Sequence, residues 1–487
     1  MGISGFALYV PPYRVDLESW SQWTQNSWPK ISGVVGQSFR MPGPVQNVYT
    51  MAATAADRLI RNYDIDPERV GFLGLGTESS TDNSAGSIIV KGMLDEALRA
   101  QGRLGLSRHC QVPEFKHACL GGVYAMKDAL RWLALNDDDQ VAIVIAADIA
   151  SYALGSSGEP TQGAGAVAML LERKPKLLEV DIVHAGSASL YRGVDFRKPR
   201  YRSQWRGASR SALPDTPIFN GKYSVSCYYD QTLSALRDML RKLKKTGVDY
   251  HRDLEAVFMH RPYQRMPVSS WALNYLVGLA SNGAAGRAEL SEYCGDADLD
   301  TQQVVDEMHG THTFTSESAM DMVDQDLYPL CMQLLRSFRT HHTFHTEVEN
   351  KMRLGVDLMR DIGNIYAGAL PAWMAAGLEQ AYGQQADIAG KNVLAIGYGS
   401  GDAAEALPMR FADDWQDAAS RIGFAAALQP FQALSFDQYY ALHETGTADG
   451  LDWFGERAFQ IDRVGCGGTA PLANDGIEYY RLNQPAE

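Results

Sequence analysis

The sequence predicts an α/β fold built round a buried sheet, and three observations carry that expectation. Short apolar runs rich in β-branched or small residues read as strands: VGFLGLG (70–76), QVAIVIAAD (140–148) and GAGAVAMLLE (163–172). Between the first two lies 119–135, where Val123, Met126, Leu130 and Leu133 recur at helical spacing. The pattern of an apolar strand closing on glycine returns at KNVLAIGYGSG (391–401), a hint of duplicated halves, although no fixed-period repeat is visible. Strand, helix and strand in that order place helices against the faces of the sheet.

The second strand follows the polar turn NDDD (136–139), and the small residues of the third let neighbouring layers approach closely. The stretch 190–215 carries Arg192, Arg197, Lys198, Arg200, Arg202, Arg206 and Arg210 with few aliphatic residues, and reads as a long basic loop. Helical patterning resumes over 229–246, LEAVFMH (254–260) is a buried strand running into a histidine, and 281–350 is polar and helix-leaning. A further helix is expected over 364–382.

A chain of 487 residues is long enough for two to four domains' worth of fold. The 45% hydrophobic and 21% charged composition excludes disorder, collagen and coiled coil. With 44 Lys plus Arg against 58 Asp plus Glu, the net charge is −14, a poor basis for general nucleic-acid binding. Cys110, Cys119, Cys227, Cys294, Cys331 and Cys466 are too scattered for a disulfide framework or a zinc knuckle, which fits a reducing compartment. The start MGISGFALYVPPYR lacks the marks of a signal peptide, Phe6 argues against myristoylation, and no apolar run approaches membrane-spanning length. The expectation is a soluble, cytoplasmic protein.

Cys119 has the most telling surroundings, in HACLGG (117–122) just before the expected helix. Unpaired N–H groups at a helix N-terminus favour thiolate and can also donate to an oxyanion, although most free cysteines are small buried core residues. Glu78 follows a strand and glycine turn in GLGTESS (74–80), where a carboxylate projects into a cleft or caps the turn. Gly74 and Gly76 open a dinucleotide-type fingerprint that Ser79 breaks. His260 closes an apolar strand before Pro262 and suits carbonyl polarisation or a backbone-bonded core place. Asn364 is a candidate site residue or a helix N-cap, and GYGSG (397–401) a site turn or an ordinary one. His309, His312, His341, His342 and His345 have spacings compatible with metal ligation but read better as solvated surface, and no metal site is expected.

Taken together, the segments resemble hydroxymethylglutaryl-CoA synthases of the thiolase superfamily of condensing enzymes. The carriers of the resemblance, in order, are GTESSTDNSAG (76–86), HACLGG (117–122), GEPTQGAGAVAMLL (158–171), DFRKP (195–199), NGKYSVSCYY (220–229), FMHRPYQRM (258–266), GNIYAGALP (363–371) and GYGSG (397–401). The resemblance implies a thiolase-like α-β-α-β-α layered fold of two similar halves, 1–172 with Glu78 and Cys119 and 173–487 with His260 and Asn364. It implies that Cys119 takes an acetyl group from acetyl-CoA, that Glu78 is first base and then acid, and that His260 and Asn364 orient the ketone of acetoacetyl-CoA. Backbone N–H groups of Cys119 and Ser400 would form the oxyanion hole, and Arg265, Lys222, Tyr228 and Gly399 would contact substrate. No cofactor is implied beyond the CoA thioesters. A homodimer serving the mevalonate route of isoprenoid biosynthesis is expected.

Three departures stand out: His117 replaces a usual asparagine, Arg265 a common lysine, and 200–215 is longer and more basic than usual. They leave open whether the acyl carrier is CoA, whose phosphates suit a basic loop, or an acyl carrier protein with an acidic face, as in polyketide β-branching. A catalytically silent homologue is a further alternative, against which the joint presence of Cys119, Glu78 and His260 argues.

Overall fold

The computed structural model describes residues 1–80, 86–137, 139–192, 195, 216–217, 220–310, 326–452, 455–467 and 474–484. In chain order the strands are β1 (Gly2–Tyr9), β2 (Tyr13–Asp16), β3 (Ser38–Met41), β4 (Val70–Gly76), β5 (Glu114–Phe115), β6 (Val141–Ala150), β7 (Gly163–Glu172), β8 (Leu178–Val180), β9 (Gly186–Ser189), β10 (Leu254–Met259), β11 (Asn392–Gly399), β12 (Ala403–Phe411), β13 (Gln432–Ala433), β14 (Ala458–Val464) and β15 (Glu478–Asn483). The principal sheet runs β10-β11-β12-β8-β1-β7-β6-β4-β5, with β9 beside β12.

Two like arrangements are visible in that order. β4 lies parallel to β6, which turns back antiparallel into β7, itself antiparallel to β1. Likewise β10 lies parallel to β11, which turns back into β12, flanked by the antiparallel β9. The short pairing of Gly2 with Glu179 and Ile3 with Leu178 joins the two.

Side-chain alternation then builds the layers. Leu73, Leu75, Ile143 and Ile145 face a core shared with helices Val48–Asn62 and Gly86–Ala100. Phe72, Ala142 and Val144 face the opposite core, which contains helices Gly121–Leu135 and Ala369–Gly383 together with β10 and β11. The helix Gly121–Leu135 is therefore gripped from both sides. A Cβ on Gly76 would fall 2.4 Å from the Gly122 nitrogen, and one on Gly397 would fall 2.9 Å from Val123. A helical layer thus lies between the two like strand arrangements, the layering of the thiolase-like fold that the resemblance implies.

The remaining chain covers this frame. β2, β3 and β13 form a small sheet whose core joins Tyr13, Val15, Trp20 and Phe39 to Leu434, Tyr439 and Leu442, the last two on helix Phe436–Thr445. The hairpin β14–β15 brings Ala458 and Phe459 onto helix Val48–Asn62.

The polar region 281–350 folds into helices Gly283–Asp296, Thr301–His309 and Pro329–Phe338 against helix Arg265–Ala280, where Phe338 stacks on Tyr275 with centroids 6.0 Å apart. Two of the five histidines there sit beside carboxylates: His341 lies 3.2 Å from Asp296 and His345 2.6 Å from Glu349, while His312 lies outside the described residues. Among the described residues no helix is long and apolar enough to cross a membrane.

The close approach at Gly76 gives a direct test. Gly76→Ala should lower the urea midpoint, with a loss of about 1–3 kcal/mol from overpacking against rigid backbone. Gly92→Ala, on an exposed helix position with nothing near its Cβ, should leave stability unchanged or raise it by about 0.5–1 kcal/mol. Equal effects of the two substitutions would contradict the packing described.

Candidate active site

The site forms where the two halves present equivalent strand ends. β4 ends at Gly76 and delivers Glu78, and β10 ends at Met259 and delivers His260. The segment His117–Leu120 leads into helix Gly121–Leu135 through a tight turn in which Leu120 N donates to His117 O at 2.9 Å and Ala118 adopts φ +41°. At the corresponding place in the other half, Tyr366 adopts φ +42° three residues before helix Ala369–Gly383. Non-glycine residues in this region are strained; Ala118 adjoins Cys119 and Tyr366 packs in one cluster with it, and Cys119 lines a small cavity.

That cavity, about 60 Å³, is lined by Cys119, His260, Asn364 and Ser400 together with Tyr152, Tyr398 and neighbours from 157–161. Glu78 is not on its lining, but its charge acts on the Cys119 thiol and on Tyr152 and Tyr366, so it stands in the neighbourhood of all three. Gly399 is a packing residue: a Cβ there would lie 2.8 Å from His117 O, so its absence lets the Gly399–Ser400 turn close on the cysteine segment.

The placement of Glu78 depends on Asp148, a fully buried carboxylate in β6 that the sequence reading passed over. Asp148 Oδ1 accepts from Thr77 Oγ1 (3.0 Å), Glu78 N (2.8 Å), Ser79 N (3.0 Å) and Ser79 Oγ (2.7 Å). Its Oδ2 accepts from Ala367 N at 2.8 Å. One side chain thus ties the glutamate turn of one half to the asparagine segment of the other. Asn364 is itself held by N–H donation to Thr161 O (3.0 Å), while its Oδ1 accepts from Tyr366 N (3.0 Å). An acid inside the apolar run VAIVIAADIA was the available signal, because a charge in a buried strand needs a partner.

The electrostatics correct one expectation. The helix terminus was expected to favour Cys119 thiolate, yet the thiol is pushed well above its ordinary value, first by burial and then by the charges of Glu78 and Asp148; its own backbone N–H pulls the other way. The residue also precedes the helix by two positions. His260 is pushed down to about 3 by burial, so its ring is neutral. Its backbone is fixed by N–H donation to Ile396 O (2.8 Å) and by Tyr228 Oη donating to His260 O (2.7 Å), and its ring stacks on Tyr398 at 6.4 Å. Nδ1 has no hydrogen-bond partner among the described residues.

The proposed substrate contacts separate into different places. Tyr228 is fully buried behind His260, so it supports that residue and does not face the cavity. Lys222 is exposed and lines an outer groove of about 340 Å³ with Val225, Tyr229 and Asp326; the groove shares Ser157, Thr161 and Tyr263 with the cysteine cavity. Arg265 is exposed at the start of helix Arg265–Ala280, outside both linings, with its charge acting on Tyr229. Of the expected basic loop, Arg192 is buried, paired with Asp230 and 3.7 Å from Asp402, and does not belong to a solvated surface. Arg197, Lys198, Arg200, Arg202, Arg206 and Arg210 lie outside the described residues.

A cysteine that can hold an acyl group, flanked by a carboxylate and a neutral imidazole between two like halves, defines the class as thiolase-like condensing enzymes, acyltransferases in their chemistry. The family model for the N-terminal part of hydroxymethylglutaryl-coenzyme A synthase matches residues 1–176, and that for the C-terminal part matches 195–441. The hydroxymethylglutaryl-CoA synthase of Haloferax volcanii is 27% identical over 409 residues, covering 83% of this chain and 81% of that protein. The one of Enterococcus faecalis is 31% identical over 268 residues, covering 55% and 62%. A solved structure of MvaS in complex with 3-hydroxy-3-methylglutaryl coenzyme A shares the fold with a TM-score of 0.76 at 24% identity, over 99% of each chain. The chain belongs to the hydroxymethylglutaryl-CoA synthase family.

Two outcomes are expected. The His260 ring resonances should keep the neutral-imidazole position down to pH 4 in an NMR titration; a midpoint near the ordinary 6.5 would contradict its burial. Burial raises Asp148 from 3.8 to about 6, so the native state holds this proton more tightly than the unfolded chain does. Its contribution to stability is therefore full below about pH 4 and is lost as pH rises through 6. Urea unfolding should show wild type losing stability relative to Asp148→Asn across that window, and a difference independent of pH would refute the assignment.

Proposed function

We propose that this enzyme condenses acetyl-CoA with acetoacetyl-CoA to give 3-hydroxy-3-methylglutaryl-CoA and CoA, through an acetyl thioester on Cys119. The observation that carries the reading is the convergence of Cys119, His260, Asn364 and Ser400 on one small cavity, with the charge of Glu78 near enough to act on the Cys119 thiol. The cavity has room for a short acyl group, and the contiguous groove with Lys222 at its rim suits the arm that carries it.

In this scheme the Cys119 sulfur attacks the thioester carbonyl of acetyl-CoA, and its proton leaves with the CoA thiol. Glu78 then takes a proton from the acetyl methyl, which is weakly acidic and needs a positioned base together with a stabilised enolate oxygen. The carbanion equivalent adds to the ketone of acetoacetyl-CoA. Neutral His260 donates a hydrogen bond to that oxygen, Asn364 assists, and protonated Glu78 returns the proton to the alkoxide. Water hydrolyses the remaining thioester. In the same reading the chain is a cytoplasmic homodimer of the mevalonate route and needs no cofactor.

Incubation with acetyl-CoA should add one acetyl mass to the Cys119 peptide, and Cys119→Ser should abolish it. Glu78→Gln should keep acetylation while condensation falls by about 10²–10⁴-fold. Acetylation of the Cys119→Ser protein at the wild-type rate would defeat the reading. Equal or better turnover with acetoacetyl-carrier protein than with acetoacetyl-CoA would move the substrate to a carrier protein.

A further inference from the structure

We propose that helix Phe436–Thr445 is a positioning element of the active site, with His443 acting directly and Tyr439 through Glu159 and Gln162 to hold Tyr152 beside Cys119. The inference rests on Cys119 being the reacting thiol. Tyr152 shares a buried cluster with Cys119, Ala150 and Tyr366, and its ring meets Tyr366 edge-on at 6.4 Å. It lies on the segment that leaves β6 at Ala150, two residues beyond the end of that strand.

Side chains bond both of its backbone groups. Tyr152 N donates to Gln162 Oε1 at 3.1 Å, and Tyr152 O lies 2.8 Å from His443 Nε2. A carbonyl only accepts, so His443 carries a proton on Nε2. Gln162 is oriented in turn, because its Nε2 donates to Tyr439 Oη at 3.1 Å. Tyr439 Oη donates to Glu159 Oε1 at 2.6 Å, and Trp20 Nε1 donates to the same oxygen at 2.9 Å. Glu159 Oε2 accepts from Gly155 N at 2.6 Å, which fixes the loop that lines the cavity.

Glu159 and Gln162 are both buried, so each missing bond would leave a desolvated polar group unpaired. The network transmits the position of one surface helix to both backbone groups of a cavity residue. His443 lies beyond residue 441, where the C-terminal family model ends.

The test compares His443→Phe and Tyr439→Phe, which keep a ring and remove the bonding atom, with His443→Gln, which restores a donor. Two readouts are taken: steady-state kcat and KM with both CoA substrates, and iodoacetamide alkylation of individual cysteines by peptide mass. Loosening Tyr152 should lower kcat about tenfold with KM nearly unchanged, and raise Cys119 alkylation about tenfold. The buried Cys227 and Cys331 should stay unreacted, and His443→Gln should recover most of both losses. Wild-type kcat and Cys119 alkylation in both phenylalanine variants would overturn the proposal. So would equal damage in His443→Phe and His443→Gln, or general exposure of the cysteines. Should wild type take no acetyl group from acetyl-CoA, the proposed reaction fails, while the alkylation comparison still decides the positioning role.

Discussion

The buried carboxylate of Asp148 is the constraint on which the rest of the site depends. Its two oxygens collect donors from Thr77, Glu78 and Ser79 on one side and from Ala367 on the other. A carboxylate in a sheet interior is costly unless it is fully hydrogen-bonded, so the donors cannot drift without exposing that cost. The glutamate turn and the asparagine segment, 219 residues apart between Asp148 and Ala367, are thereby held in one frame. The grip of β4 and β11 on helix Gly121–Leu135 then sets the sulfur within that frame.

Placing the thiol among carboxylates has a chemical consequence. Burial, Glu78 and Asp148 all oppose ionisation, so the resting cysteine is kept as a thiol. A stored thiolate would react with any passing electrophile, whereas a thiol that loses its proton only as the thioester arrives ties reactivity to substrate binding. The neutral His260 fits the same economy of charge, since a neutral ring can donate to a developing oxyanion without itself being desolvated as a cation.

Much of this was legible in the sequence because it is local. Short apolar runs located β4, β6, β7, β10 and β11, and the residues just beyond them include Glu78, His260 and Ser400. Cys119 and Asn364 were visible as polar residues before helical periodicity. What was missed depends on distant partners. The resemblance implies a substrate contact for Tyr228, and only the fold shows its hydroxyl spent on the His260 carbonyl. The thiolate expectation considered the nearby helix but not the acids, one of which comes from β6. The bonds from Tyr439 to Glu159 and from His443 to Tyr152 span 280 and 291 residues, beyond any spacing rule. The polar appearance of 281–350 concealed a helical layer whose inward stripe, including Leu290, Val304, Cys331 and Leu334, is fully buried.

In the proposed reaction one cysteine-held acetyl group is the carbon source for condensation. A rapid-quench pulse–chase addresses it most directly: enzyme briefly loaded with labelled acetyl-CoA is mixed with acetoacetyl-CoA and an excess of unlabelled acetyl-CoA. The account predicts that label leaves the Cys119 peptide and enters 3-hydroxy-3-methylglutaryl-CoA at the same rate. Unlabelled product formed while the label stays on the cysteine would contradict it.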